Sequence, residues 1–240
     1  MFFPDHAFII LLASALSVGF IHTLLGPDHY LPFIVMAKAR RWSMQKTTWI
    51  TLLCGIGHVL SAAILGLIVA AIGITVAKLQ FIESFRNVIS AWLLIGFGFG
   101  YLLWGIHYAL KKKTHTHAHI HSDGSLHQHL HNHNEEHAHL HTKKSYRELT
   151  PWILFIIFIL GPCEPLIPLI IYPALHGSLM EVFWISLAFG AATLMVMLSL
   201  VLASAFGMQK FELHFFSRYG NALAGGVICL SGVAIRFLGL

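Results

Sequence analysis

Long apolar runs alternate with short polar segments along the whole chain of 240 residues. A helix needs about 20 apolar residues to cross a hydrocarbon core of about 30 Å. Six runs reach that length, over residues 8–33, 48–72, 88–110, 151–175, 181–208 and 219–240. The pattern therefore predicts an all-α, polytopic membrane protein with six transmembrane helices.

Composition agrees with a membrane protein and leaves no residues for a soluble domain. Hydrophobic residues make up 57% of the chain and charged residues 10%, against roughly 25% charged residues in soluble domains. The net charge of +5 lies in the connections, where it suits contact with anionic lipid headgroups. We expect the lipid bilayer as a partner, no nucleic acid and no organic cofactor.

Basic residues cluster in the connections after the first, third and fifth spans. The other side of the membrane has only Lys78, Arg86 and Arg236. By the positive-inside rule the basic side is cytoplasmic. We therefore expect a plasma (inner) membrane protein with both termini outside and the long loop of residues 111–150 in the cytoplasm.

Two spans contain matching interruptions. Residues 26–29 read Gly-Pro-Asp-His, and residues 161–164 read Gly-Pro-Cys-Glu. Proline removes a backbone donor, and unsatisfied carbonyls are tolerated at membrane depth only beside a cavity or other protein. Both spans are predicted to be broken, although Gly-Pro in two apolar segments could also coincide by chance.

The third and sixth spans also correspond, because Gly98 and Gly105 match Gly225 and Gly232 in spacing. Two equivalent triplets of spans would run in opposite directions, as in the inverted repeats of transporters. The expected organisation is a first three-helix repeat over residues 1–110, a loop over 111–150, and a second repeat over 151–240.

Several ligand-type residues lie inside these spans, where a charge costs at least about 2.5–3.5 kcal/mol and normally serves a function. Imidazole and carboxylate ligands suit Ni²⁺, Co²⁺ and Zn²⁺. In an unbroken helix, His22 and His29 would stand about 10.5 Å apart, so only a break could bring them onto one ion. The predicted metal-site residues are His22, Asp28, His29, His58, Cys163 and Glu164.

Two of these residues have alternative explanations. A single histidine in a span, such as His58, can hydrogen-bond a backbone carbonyl without binding metal. Cys163 can be a small buried apolar residue. Like Cys54 and Cys229, it is an isolated thiol inside an apolar run.

Residues 19–29, Gly-Phe-Ile-His-Thr-Leu-Leu-Gly-Pro-Asp-His, and residues 55–58, Gly-Ile-Gly-His, resemble the signature motifs of nickel/cobalt permeases. The resemblance extends to nickel/cobalt exporters and urease-accessory membrane proteins. It implies metal binding by His22, Asp28, His29 and His58. Five residues rather than four separate His22 from Asp28, and six spans replace that family's eight, which favours a branch other than the classical importers.

The long loop is rich in histidine at mostly alternate positions. Such low-complexity tracts bind metals, and their polarity predicts disorder without metal. A solvated linker is the alternative. The predicted metal-capturing residues are His115, His117, His119, His121, His127, His129, His131, His133, His137, His139 and His141.

These features predict a transporter, not an enzyme, for a divalent transition-metal cation. Ni²⁺ and Co²⁺ are the leading candidates and Zn or Fe the further ones. Efflux is favoured over uptake, because a cytoplasmic chelating loop collects ions where an exporter loads; the loop could equally buffer ions after uptake. Protons are the expected coupling ion, with Glu164 as their carrier.

Two other functions remain as alternatives. The Gly-Pro-Cys of residues 161–163 resembles transmembrane thiol-disulfide electron shuttles of the cytochrome c biogenesis type, which need a partner thiol. The equivalent position in the first span is Asp28 rather than a cysteine. A sulfite-type anion exporter would need cationic side chains at the breaks, and we expect none there.

Overall fold

The computed structural model describes residues 6–72, 76–111, 116–120, 126–130, 149–161, 163, 165–176, 178–209 and 214–238. Within this part the chain is mainly helical. Its helices are α1 (His6–Leu25), α2 (Leu31–Ala39), α3 (Met44–Ile72), α4 (Val76–Lys111), α5 (Leu149–Leu160), α6 (Leu166–Leu175), α7 (Leu179–Gln209) and α8 (His214–Leu238). A 3₁₀ turn, Pro27–His29, separates α1 from α2.

Five helices in the described residues are long and apolar enough to cross a membrane, namely α1, α3, α4, α7 and α8. This establishes a multi-pass helical membrane protein. The predicted fourth span is interrupted, as the sequence predicts, and consists of two shorter apolar helices, α5 and α6, so the described residues contain no sixth long apolar helix. Proline at positions 162 and 165 prevents one continuous helix there, since it lacks a backbone N–H.

The chain is also interrupted where Gly26 and Pro27 follow α1. Pro27 cannot donate to the carbonyl of Thr23, so the α-helical pattern stops. The next two hydrogen bonds join residues that are three positions apart. His29 N–H donates to the Gly26 carbonyl at 3.1 Å, and Tyr30 N–H donates to the Pro27 carbonyl at 3.3 Å. The resulting 3₁₀ turn changes the direction of the chain before α2.

Helices α4 and α8 form the most extensive helix pair. The matching glycines lie on the faces that meet: a Cβ on Gly98 would meet the backbone of Cys229, and one on Gly225 would meet that of Leu102. A Cβ on Gly232 would lie 2.8 Å from the Ile95 nitrogen. The equal spacing therefore reflects direct backbone-to-backbone packing between the two helices.

The other helices enclose the interrupted segments. α1 packs on α7, while α3 contacts α5, α6 and α7. α2 lies against α7 and α8. This arrangement places the 3₁₀ turn after α1 and the break between α5 and α6 on neighbouring parts of the protein interior, with α3 beside both.

Part of the histidine-rich loop forms an antiparallel ladder between β1 (Thr116–Ile120) and β2 (Leu126–Leu130). Thr116 is opposite Leu130, and Ile120 is opposite Leu126. The membrane region is helical as predicted, and the departure from an all-α chain and from a disordered loop is confined to these two strands within the described residues. Alternation with a period of two is also the strand period, which explains how such a tract can pair.

Candidate functional site

Three histidines from separate parts of the chain form a cluster in the protein interior. The ring centroids of His22 and His29 are 4.7 Å apart, and those of His29 and His58 are 5.2 Å apart. One ring nitrogen from each residue lies within 4.8 Å of the other two. The cluster thus joins the last turn of α1, the 3₁₀ turn and the middle of α3.

The break after α1 brings the first two histidines together. His22 stands one turn before the end of α1, and the 3₁₀ turn folds His29 back onto it. Nδ1 of His29 lies 3.2 Å from the Gly26 carbonyl oxygen and 3.3 Å from Oδ1 of Asp28. Asp28 therefore contacts a histidine of the cluster and orients its ring.

Two prolines remove the helical donors of two carbonyls at the end of α5, and the Phe158 carbonyl accepts instead from Gly161 N–H at 3.2 Å, a donor that it shares with the Ile157 carbonyl. A helix would pair the Phe158 carbonyl with the N–H of residue 162 and the Gly161 carbonyl with that of residue 165, and both positions are proline. Nδ1 of His58 lies 3.0 Å from the Phe158 oxygen. The predicted alternative for His58, a hydrogen bond to a backbone carbonyl, is thus observed.

Arg86 on α4 satisfies other carbonyls at the same break. Its Nη2 donates to the carbonyls of Ile159 at 2.9 Å and Gly161 at 3.3 Å, and to Oγ of Ser61 at 3.0 Å. Its Nη1 donates to Oε1 of Glu83 at 2.6 Å. The expectation that no cationic side chain reaches the breaks is therefore wrong.

Sequence reasoning missed this ion pair because it began the third span at residue 88. α4 in fact begins at Val76, so Glu83 and Arg86 lie on the helix instead of in the preceding connection. Their i,i+3 spacing is that of helical neighbours. That spacing was the available signal for a helix that starts earlier.

Among the described residues, none of the three cysteines belongs to the group of ligand atoms that the three histidines form. Cys163 is buried in an apolar cluster with Val59 and Leu166, and Cys54 is buried in a different one. None of the three is in a disulfide within the described part of the chain. Cys163 follows the break directly, with its carbonyl accepting from Leu166 N–H at 3.2 Å. Glu164 lies outside the described residues.

A cavity of about 370 Å³ opens beside the cluster. His22, His29 and His58 line it together with Asp28, and Asn87 and Ser90 of α4 add polar groups. Gly161 also lines it. The cavity therefore connects the two breaks, and it is large enough for several water molecules.

The histidine side chains of the long loop lie outside what the structure describes, including those on β1 and β2. Metal capture by this loop stays a prediction.

Comparison with known proteins identifies a family over most of the length. Residues 31–234 match the model of the family described as cytochrome C biogenesis protein transmembrane region. No curated protein and no solved structure matches the chain.

The family match corrects the expected identity and function. The resemblance to nickel/cobalt permeases and exporters is wrong, and with it the predicted transport and efflux of Ni²⁺ or Co²⁺ as substrate. That resemblance rested on two short motifs, of which residues 19–29 precede the matched region. A local histidine motif reflects the chemistry of a few side chains, whereas the family match extends over residues 31–234. The protein belongs to the cytochrome c biogenesis transmembrane-region family.

Proposed function

We propose that this protein carries reducing equivalents across the membrane by thiol–disulfide exchange at Cys163. The observation that carries the proposal is the family match over residues 31–234, which includes the Gly-Pro-Cys break. c-type cytochromes attach haem through paired cysteines, and these cysteines have to be thiols to react. A membrane protein that delivers electrons to protein disulfides outside the cytoplasm would serve that need.

The exchange proceeds through mixed disulfides with partner proteins, because the break after α1 has Asp28 where a second cysteine would be needed. The Cys163 thiolate attacks a disulfide of an oxidised partner: a Cys163–partner S–S bond forms, the partner's own S–S bond breaks, and the released thiolate takes up the proton lost from Cys163.

A reduced dithiol partner then completes the transfer. Its first thiolate attacks the Cys163 sulfur and releases the first partner as a dithiol. Its second thiolate then closes the donor's own disulfide and frees the Cys163 thiolate. Two electrons pass from the second partner to the first, and Cys163 returns to its starting state.

The surroundings of Cys163 favour a controlled exchange. Its side chain is fully buried, so a partner disulfide reaches it only when α5 and α6 separate at the break. Arg86 bridges the carbonyls of Ile159 and Gly161 just before Cys163. This contact holds the break closed around the thiol.

The same proposal includes the membrane topology. The paired α5 and α6 together complete a sixth crossing, so that two three-helix repeats run in opposite directions, with the break after α1 equivalent to that after α5. The basic connections support a topology with the long loop in the cytoplasm and both termini outside. Donor and acceptor dithiols then approach the breaks from opposite sides.

Trapping of mixed disulfides tests the function. Cells that make the full-length protein are quenched in acid, alkylated and analysed without reductant. The wild type and the matched controls Cys54→Ser and Cys229→Ser should give a higher-mass adduct that a reductant cleaves. Cys163→Ser should give no such adduct. Absence of the adduct from all four inserted proteins, or its persistence in Cys163→Ser, would contradict the proposal.

A further inference from the structure

The histidine cluster has a feature that thiol exchange does not use. Nε2 of His22, of His29 and of His58 is buried, and none of the three has a hydrogen-bond partner among the described residues. Buried polar atoms are normally paired. Three unsatisfied nitrogens in one small cluster therefore need an explanation.

The partners of the other ring nitrogens decide what these atoms are. Nδ1 of His58 lies 3.0 Å from the Phe158 carbonyl oxygen, which can only accept, so Nδ1 carries the hydrogen. Nδ1 of His29 faces the Gly26 carbonyl and Asp28 in the same way. In the neutral imidazole the opposite nitrogen then has a lone pair. Nε2 of both residues is an acceptor directed into the cluster.

A carboxylate or carbonyl on Nδ1 is the usual outer contact of a metal-binding histidine, because it sets the tautomer and orients the ring. His29 and His58 both have this contact. The lone pairs on Nε2 of His29 and of His58 could be filled by a water or by a cation, but the outer contact on Nδ1 of both rings is the one that metal-binding histidines share. A cation with imidazole preference satisfies all three lone pairs at once.

We propose that His22, His29 and His58 hold one divalent transition-metal ion of the Zn²⁺ or Co²⁺ class through their Nε2 atoms. Nitrogens that share an ion at about 2.1 Å are about 3.4 Å apart in a tetrahedral site. Small rotations of the rings from their present separation, within 4.8 Å, close the cluster. The fourth position faces the cavity and is left to water or to another small ligand.

This ion is a resident of the site and not a transported substrate. His22 and His29 precede the residues that match the family, 31–234, so the site is additional to the features on which the family membership rests. Asp28 supplies a negative charge beside His29, which helps to balance a dication in the membrane interior. Cys163 is not among the described ligand atoms that lie within 4.8 Å of one another, so the proposed site does not include it.

Co²⁺ binding to the purified full-length chain tests the proposal. The eleven loop histidines are first replaced by serine, so that the loop no longer binds the ion. This parent protein should bind one Co²⁺ per chain, with the intense visible absorption of a four-coordinate ion, and Zn²⁺ should displace it.

His22→Asn should weaken Co²⁺ binding by more than the roughly 10–100-fold that loss of an outer contact causes. Asp28→Asn should weaken Co²⁺ binding by an amount within that range. The matched control His107→Asn, on an exposed position of α4, and Cys163→Ser should both bind as the parent does.

The proposal is overturned if the folded parent binds no Co²⁺, or if His22→Asn binds as tightly as His107→Asn. His58→Gln provides a second variant, because glutamine can still donate to the Phe158 carbonyl where a shorter side chain would disturb the break. Cys163→Ser separates the two ideas: it should lose mixed disulfides while keeping its Co²⁺, so each proposal can fail alone.

Discussion

His58 is hydrogen-bonded to the carbonyl of Phe158, 3.0 Å from Nδ1, and this is the carbonyl whose helical donor is missing at position 162, which is proline. One side chain of α3 thus donates a hydrogen bond to a backbone carbonyl of α5. Because the same ring takes part in the histidine cluster, the break and the cluster depend on each other.

We expect His58→Ala to destabilise the protein by about 0.5–1.5 kcal/mol, the usual net contribution of one hydrogen bond, because the Phe158 carbonyl then keeps only its 3.2 Å bond from Gly161 N–H. His58→Gln should recover part of the loss, because its amide can donate. Thermal unfolding in detergent measures both, with the exposed His107→Asn as a control that should unfold like the wild type. Equal stability of His58→Ala and the wild type would contradict the role of this bond.

Removing one member of the ion pair between Arg86 and Glu83 should cost more than removing both. Each single change, Arg86→Met or Glu83→Gln, leaves a buried charge without its counter-charge, for which a loss of about 3–5 kcal/mol is typical. In the double variant no such charge remains, so stability should partly return. A double-mutant cycle on thermal unfolding measures the coupling, and strictly additive losses would show that the two charges act independently.

Gly98→Ala should push α4 away from α8, because its Cβ would meet the backbone of Cys229. Gly100→Ala is a matched control on the same helix, since its Cβ would meet nothing within 4 Å. We expect Gly98→Ala to lose about 1–3 kcal/mol through overpacking and Gly100→Ala to unfold at or slightly above the wild-type temperature. A reversed order would place the helix contact on another face.

Gly26→Ala should disturb the histidine cluster by steric contact and not by backbone strain. The backbone of Gly26 is extended, at φ −89° and ψ 91°, but its Cβ would lie 2.7 Å from Nδ1 of His29. We expect weaker Co²⁺ binding by the protein without loop histidines. Gly207→Ala, where the Cβ would meet nothing within 4 Å, is the control. Unchanged binding in Gly26→Ala would show that His29 does not need its present position.

The error about function has a definite source. The residues of the His22 motif do come together in space, but their chemistry alone does not distinguish a transported ion from a resident one. The family match extends over residues 31–234, which is most of the chain. The Gly-Pro-Cys sequence also predicts thiol exchange. The equivalent position in the first span is Asp28 and not a second cysteine, so the sequence alone favours metal transport over thiol exchange.

The sequence by itself determined the helical membrane class, the two interruptions and the carbonyls that the prolines leave unsatisfied. These properties depend on local chemistry: hydropathy decides which segments enter lipid, and the missing N–H of proline acts on the residue four positions earlier. Even the glycine spacing of α4 and α8 could be read, although not which faces meet.

Only the tertiary structure decided which side chains satisfy those carbonyls and where the histidines point. His58 and Arg86 are distant in sequence from the break between α5 and α6, and nothing in their local pattern names Phe158 or Gly161 as their acceptors. His22 and His29 approach each other because the 3₁₀ turn replaces the α-helix between them, and His58 joins them from α3. Contacts of this kind follow from how the helices fit together, which depends on all their surfaces at once and not on the pattern along any one of them.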